Sequence, residues 1–384
     1  MGEFRMPSLG ADMDAGTITE WRVRPGDTVH RGDIIAVVDT DKADIDVEVF
    51  EDGVVEELLV APGERVPVGT LLARLGPVDG AAARPAPEPT APPVVQPGAR
   101  PTAGRVSPRA RRLAGRRGVE VGELAGSGPG GAVTGADVEA ASPLPVPAPP
   151  EVGEPTGEQR AAERSAAMRA AIARLMARSK REIPHYYLST DVDFSAAQRF
   201  LAARNESRPV SERLLPAVLL LKATAVAVHR VPELNGFWID DELRPSEAVH
   251  LGIAVALRSG GLVAPAIHDA DRRDLDDLMS ALRDLVNRAR AGSLRASEMS
   301  DPTITITNLG DLGVEAVYGV IYPPQVALVG FGAITERAWA SDGMVGARPV
   351  VTATLAADHR GSDGARGAQF LRAIDHLLQE PERL

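Results

Sequence analysis

The chain has 384 residues, too many for one ordinary domain, and its 44% apolar content suffices for packed cores. A formal net charge of −11 argues against nucleic acid as a general partner, and the absence of cysteine removes disulfides, thiolate metal sites and a cysteine nucleophile. No apolar run reaches the ~18 residues of a membrane span, the histidines do not cluster at metal-ligand spacing, and the acidic start of the chain resembles neither a secretory signal nor a transit peptide, so a cytoplasmic, metal-free protein is expected.

Residues 1–77 are the acidic head, with 16 Asp and Glu against 7 Lys and Arg. They contain an internal repeat offset by 37 residues: Gly16-Thr17-Ile18 answers Gly53-Val54-Val55, and Pro25-Gly26-Asp27 answers Pro62-Gly63-Glu64. Both copies read as short strands broken by Pro-Gly turns. Two half-sheets with one apolar face each bury those faces against one another, which predicts a small all-β barrel or sandwich. Lys42 falls in Asp39-Thr40-Asp41-Lys42-Ala43, the connection between the copies, and is one of only three lysines in the chain.

Residues 78–104 and 141–159 are rich in Ala and Pro, a composition that buries little and predicts linkers. Between them, 105–140 is a small island with predicted helices at 108–118 and 134–141 and the loop Gly126-Ser127-Gly128-Pro129-Gly130-Gly131. This loop follows no strand and lacks a Gly-Lys-Ser/Thr ending, which excludes a phosphate-binding reading. Six arginines and no acid occupy 105–117, either a solvated face or a patch for a different partner from that of the acidic head.

Residues 160–384 read as one α/β unit. Amphipathic helices are predicted at 161–181, 195–204, 211–229, 274–291 and 365–379, and strands at 249–257, 303–308, 325–331 and 349–357. Near the C-terminus, Asp358-His359-Arg360-Gly361-Ser362-Asp363-Gly364 opens onto the last helix. Taken singly, His359 is a strand-end histidine and Asp363 an N-cap. Taken together, a neutral imidazole removes a proton from a thiol while a nearby carboxylate orients it. Thr307, in Thr305-Ile306-Thr307-Asn308-Leu309-Gly310, is either a β-branched strand residue or a hydroxyl donor to an oxyanion.

These strings resemble the dihydrolipoamide acyltransferase component of 2-oxo acid dehydrogenase complexes over nearly the whole chain. Residues 1–77 look like a lipoyl domain, with Lys42 matching the lysine that carries lipoic acid. Residues 105–140 resemble the peripheral-subunit-binding domain through Ser107-Pro108, Arg111-Arg112-Leu113-Ala114 and the Gly-rich loop. Residues 160–384 resemble the catalytic domain through Ile183-Pro184-His185-Tyr186-Tyr187, Pro232-Glu233-Leu234-Asn235-Gly236, Gly261-Leu262-Val263-Ala264-Pro265, Asn308-Leu309-Gly310 and the Asp-His-Arg frame of His359 and Asp363.

The resemblance implies a chloramphenicol-acetyltransferase-like catalytic fold and acyl transfer, acetyl as the first expectation, from dihydrolipoamide to coenzyme A. His359 and Asp363 are then catalytic, with Thr307 contributed by a neighbour in a trimer, and trimers build a cubic or icosahedral core. Arg111 and Arg112 are implied to dock the decarboxylating 2-oxo acid dehydrogenase subunit or dihydrolipoamide dehydrogenase. The alternatives are a non-catalytic lipoyl carrier and scaffold, or an acyltransferase of a specialised or acetoin-cleaving pathway. Gly361 and Ser362 stand where the family usually has apolar residues, and Gly115 and Ala132 where relatives often place arginine. The first departure predicts a less rigidly held His359, the second either a weaker subunit contact or its replacement by Arg116.

Overall fold

The computed structural model describes residues 2–8, 13, 15–40, 44–77, 106–117, 124, 126–129, 131–141, 157–257, 261–341 and 343–384. Lys42 and nearly all of the two predicted linkers lie outside them. The chain forms two compact units, residues 1–79 with 159–384, and residues 80–158. Among the described residues no helix is long and apolar enough to cross a membrane.

The N-terminal module is built from β1 (Gly2–Arg5), β2 (Ala15–Trp21), β3 (Thr28–Val29), β4 (Ile34–Asp39), β5 (Asp44–Glu48), β6 (Gly53–Leu58), β7 (Arg65–Pro67) and β8 (Leu71–Gly76). The sequence repeat is a structural one: β2, β3 and β4 recur as β6, β7 and β8. The halves exchange their short strands, since β3 pairs with β6 and β7 with β2. The sheets β1-β8-β6-β3 and β5-β4-β2-β7 enclose a core that includes Phe4, Met6, Ile18, Ile35, Ile45 and Leu72. Gly26 and Gly63 hold matching turns at φ of 99° and 91°, a region that L side chains rarely adopt.

The middle unit contains α1 (Pro108–Arg117) and α2 (Gly135–Ala141), packed through Ala110, Ala114, Val133 and Val138. Asp137 ties its loop to α2. The carboxylate accepts from the backbone N–H groups of Ser127 and Thr134 and from both their hydroxyls. These bonds, the Ser127 hydroxyl first, hold the Asp137 carboxyl well below the usual carboxylate range.

The C-terminal domain opens with α3 (Gly157–Glu182), β9 (His185–Asp193), α4 (Ser195–Asn205) and α5 (Pro216–Ala227). A hairpin, β10 (Gly236–Ile239) and β11 (Glu242–Pro245), is followed by the short strands β12 (Leu251–Ile253), β13 (Val255–Ala256), β14 (Leu262–Val263) and β15 (Ala266–Ile267). Next come α6 (Leu275–Ala291), β16 (Leu294–Arg295), α7 (Ala296–Ser300), β17 (Ile304–Asn308) and β18 (Ala327–Phe331). The domain ends with β19 (Thr335–Ser341), β20 (Met344–Asp358) and α8 (Gly364–Gln379).

The main sheet runs β15-β12-β17-β18-β20-β19, with β9 also on β20. β12, β17 and β18 are parallel, and β20 runs antiparallel to β18 and to β9. Helices α4, α5, α6 and α8 pack on this sheet around Phe194, Leu219, Phe331 and Phe370.

The five predicted helices of this domain are present, but α5 begins at Pro216 because 210–212 form a separate 3-10 turn and Pro fits the first helical position. The predicted strand 249–257 breaks at Ala254, whose N–H turns to Ile306 while that of Ile253 bonds Pro265. Strands β9, β10, β11 and β19 lie outside the sequence-predicted elements. Their residues are largely half-buried or exposed, in contrast to the buried runs of β17 and β18.

Candidate active site

β20 ends in a buried run, Val350–Asp358. Asp358 is 0% exposed, and a buried carboxylate is costly unless it is paired. Arg360 supplies the pair two residues on: its Nε lies 3.0 and 3.1 Å from the two carboxylate oxygens, its Nη2 2.6 Å from one, and its backbone N–H 2.9 Å away. The guanidinium also stacks over Trp238 of β10, 4.6 Å from the ring centroid. The Asp358 carbonyl accepts from the N–H groups of Gly361 and Ser362, closing the turn.

His359 is thereby fixed between two anchored residues. Its N–H donates to the Pro184 carbonyl at 3.0 Å, and Tyr186 meets its ring edge-on at 5.3 Å. Within one chain the imidazole is exposed. Asp363 is the N-cap of α8, accepting from the N–H groups of Ala365 and Arg366 at 2.9 and 3.0 Å. Arg366 in turn bonds Glu233, and this pairing holds the Glu233 carboxyl below its ordinary range.

The turn at Gly361–Ser362 is pinned rather than loose, contrary to the expectation drawn from its departure from the family pattern. The Ser362 hydroxyl is 2.9 Å from the Tyr186 hydroxyl, so a polar bond stands where an apolar contact was expected. Burial pushes the Tyr186 phenol up, which keeps it protonated and able to donate.

Residues behind the turn complete its support. The Ile321 N–H donates to His185 Nε2 at 3.2 Å, so the proton sits on Nδ1, which donates to the Ile183 carbonyl at 2.9 Å. Burial lowers the pKa of His185, in keeping with this neutral form. Asn235 is fully buried and ties three segments together: its amide donates to Ser246 and Ala248, and its oxygen accepts from the Thr303 hydroxyl at 2.6 Å. At Gly236 a Cβ would collide with the Arg244 carbonyl. Asp358, Arg360, Tyr186 and Asn235 were not singled out individually from sequence. The signal for Asp358 was a charge at the end of an apolar strand run.

Thr307 lies elsewhere on the sheet. It pairs with Gly330 near the end of β18, whereas His359 follows the Ala357↔Ala327 pair at the start of β18. At ~3.3 Å per residue and ~4.8 Å per strand, the two residues are roughly 20 Å apart in one chain. The structure thus brings His359 and Asp363 into one turn and leaves Thr307 on the interior strand β17, toward the opposite end of the sheet. In the middle unit, Arg111 and Arg112 are exposed on α1. β4 and β5 pair out to Asp39↔Asp44, so Lys42 stands in the connection of this hairpin.

Three family models match the chain. Residues 157–384 match "2-oxoacid dehydrogenases acyltransferase (catalytic domain)", residues 2–75 the biotin and lipoyl family described as "Biotin-requiring enzyme", and residues 105–139 the "e3 binding domain". The dihydrolipoyllysine-residue acetyltransferase component of the pyruvate dehydrogenase complex of Rickettsia bellii is 31% identical over 405 residues, covering 98% of this chain and 97% of the relative. Azotobacter vinelandii dihydrolipoamide acetyltransferase, in a structure on the role of a serine, a histidine and an asparagine in its catalytic mechanism, superimposes with a TM-score of 0.53 at 26% identity, over 56% of this chain and 90% of that one. A structure of the cubic core of the pyruvate dehydrogenase multienzyme complex gives a TM-score of 0.53 at 27% identity, again over 56% and 90%. With its C-terminal 228 residues matched by the catalytic-domain model and almost its full length matched by a curated relative, the chain belongs to the acyltransferase family of the 2-oxoacid dehydrogenases.

Proposed function

We propose that the protein transfers an acetyl group from dihydrolipoamide to coenzyme A within a 2-oxo acid dehydrogenase complex, pyruvate being the oxo acid. The observation that carries this reading is the Asp358–Arg360 clamp, which presents His359 at the end of a buried strand in a chain that also has a carrier module. The serine, histidine and asparagine named for the Azotobacter enzyme are spaced along its chain as Thr307, His359 and Asp363 are here. The fixed turn argues against a non-catalytic scaffold.

Lys42, between β4 and β5 in the sequence, is the attachment point for lipoic acid, a reading supported by the match of residues 2–75 to the biotin and lipoyl family. Lipoic acid, in its reduced dihydrolipoyl form, would hold the acyl group as a thioester on one of its two sulfurs. His359 accepts the proton of the coenzyme A thiol, the thiolate attacks the thioester carbonyl, and the carbon–sulfur bond to the lipoyl arm then breaks, the leaving dihydrolipoyl thiolate taking the proton back from His359. Thr307 of a neighbouring chain donates a hydrogen bond to the carbonyl oxygen as negative charge develops there. Asp363 caps α8 and holds the turn, and its role is positioning. Arg111 and Arg112 contribute to docking dihydrolipoamide dehydrogenase or the decarboxylating subunit, trimers assemble into a cubic core, and the protein works in the cytoplasm.

The deciding assay measures turnover of the purified protein with coenzyme A and acetyl-, isobutyryl- or succinyl-dihydrolipoamide. Acetyl is expected to be fastest. No transfer from any of the three overturns the reading, and a faster branched or succinyl donor overturns the acetyl assignment.

A further inference from the structure

The N-terminal module is seated on the C-terminal domain through its edge strand. β5, the strand that follows the Lys42 connection, has β4 on one side and β16 on the other, in parallel register with Leu294 opposite Ile45 and Arg295 opposite Asp46. An exposed strand edge offers unpaired N–H and C=O groups, and adding a strand satisfies them. Ala296 is 2% exposed and sits in the core cluster of the N-terminal module, although it belongs to α7. Met299 packs against both cores.

One polar contact at this joint has no internal purpose in the N-terminal module. Glu48 is 7% exposed, and among the described residues its carboxylate bonds groups of the C-terminal domain: the Ser297 hydroxyl donates to it at 2.7 Å, and Arg295 lies 3.6 Å away. Without the joint this carboxylate is solvated at no cost. Within it, the burial is favourable only with those partners in register. The receiving segment is itself braced, because Arg288 forks the carboxylate of Glu298 and the Arg295 N–H donates to the same group.

We infer that Leu294–Ser300 is a docking element for the lipoyl domain of this protein, gripping β5 beside the carrier lysine with Glu48 as the register-setting contact. The strand pairing spans only two residues on each side, which suits a carrier that must leave to be recharged. The inference rests on the carrier reading of residues 2–77.

Hydrogen exchange on the full-length assembly tests it. Amides of 44–48 and 294–297 are expected to be protected, and Glu48→Lys is expected to speed their exchange about tenfold or more by placing a cation against Arg295. The double variant Glu48→Lys, Arg295→Glu is expected to recover part of the protection. Ser297→Asp gives a second test that leaves the carrier sequence intact. Unchanged protection of 44–48 in both Glu48→Lys and Ser297→Asp overturns the inference. Transfer from free acetyl-dihydrolipoamide, which needs no docking, is expected to stay within about twofold in these variants, and its absence from the wild-type protein instead overturns the function.

Discussion

Residue by residue, the site divides into groups that do chemistry and groups that hold them. A positioned base is typically worth about 10²–10⁴-fold and an oxyanion donor about 10²–10³-fold. His359→Ala is therefore expected to lower kcat more than Thr307→Ala, in variants verified to be folded and oligomeric. Near wild-type turnover of His359→Ala excludes it as the base. Arg360→Ala removes the partner of a fully buried carboxylate, a loss that costs about 3–5 kcal/mol when such a pair is broken from one side. Thermal denaturation of the C-terminal domain is expected to show that loss together with reduced kcat. Asp363→Asn keeps an N-cap of similar strength and is expected to be mild, whereas Asp363→Ala is expected to cost ~1 kcal/mol. A large kcat effect of Asp363→Asn with unchanged stability assigns the carboxylate to steering His359.

Single elements carry their own dependence on solution conditions. In the small middle unit, the loop at 126–129 is tied to α2 by the lowered carboxyl of Asp137. The stabilisation is complete above the ordinary Asp pKa of about 3.9 and is lost as pH falls from there through the lowered native value. Acid titration followed by NMR is expected to show this unit opening below about pH 4, and Asp137→Asn is expected to leave it weakened already at neutral pH. In the N-terminal module, Gly26→Ala and Gly63→Ala force a side chain into the left-handed region at equivalent turns. Each is expected to destabilise by about 1 kcal/mol, with similar shifts in denaturation midpoint.

At the scale of the whole molecule, the ~20 Å between Thr307 and His359 in one chain requires a second chain if both serve one reaction. Mixed assembly of His359→Ala chains with Thr307→Ala chains is then expected to regenerate intact sites, roughly a quarter in a random mixture. No recovered activity in verified mixed oligomers places the two residues in separate roles. Intact mass with lipoate and its ligase present is expected to show one lipoyl addition, mapped to Lys42, and a modification only at Lys180 or Lys222 excludes that assignment. The Ala- and Pro-rich composition of 78–104 and 141–159 predicts that limited proteolysis cuts there first.

By itself the sequence determined what depends on local period and turn chemistry. The 37-residue repeat, its paired Pro-Gly turns, the amphipathic helices and the Asp-His-Arg string beside a capped helix all express short-range preferences, so they are legible along the chain. Only the tertiary structure decided what depends on sheet order and register. β18 lies between β17 and β20, which sets Thr307 away from His359; Trp238 and Tyr186 reach the turn from more than a hundred residues upstream; and Ser297 meets Glu48 across 249 residues. Such contacts have no sequence period, because a side chain's partner across a sheet or a joint is fixed by which strands become neighbours and by the residue at which their pairing begins.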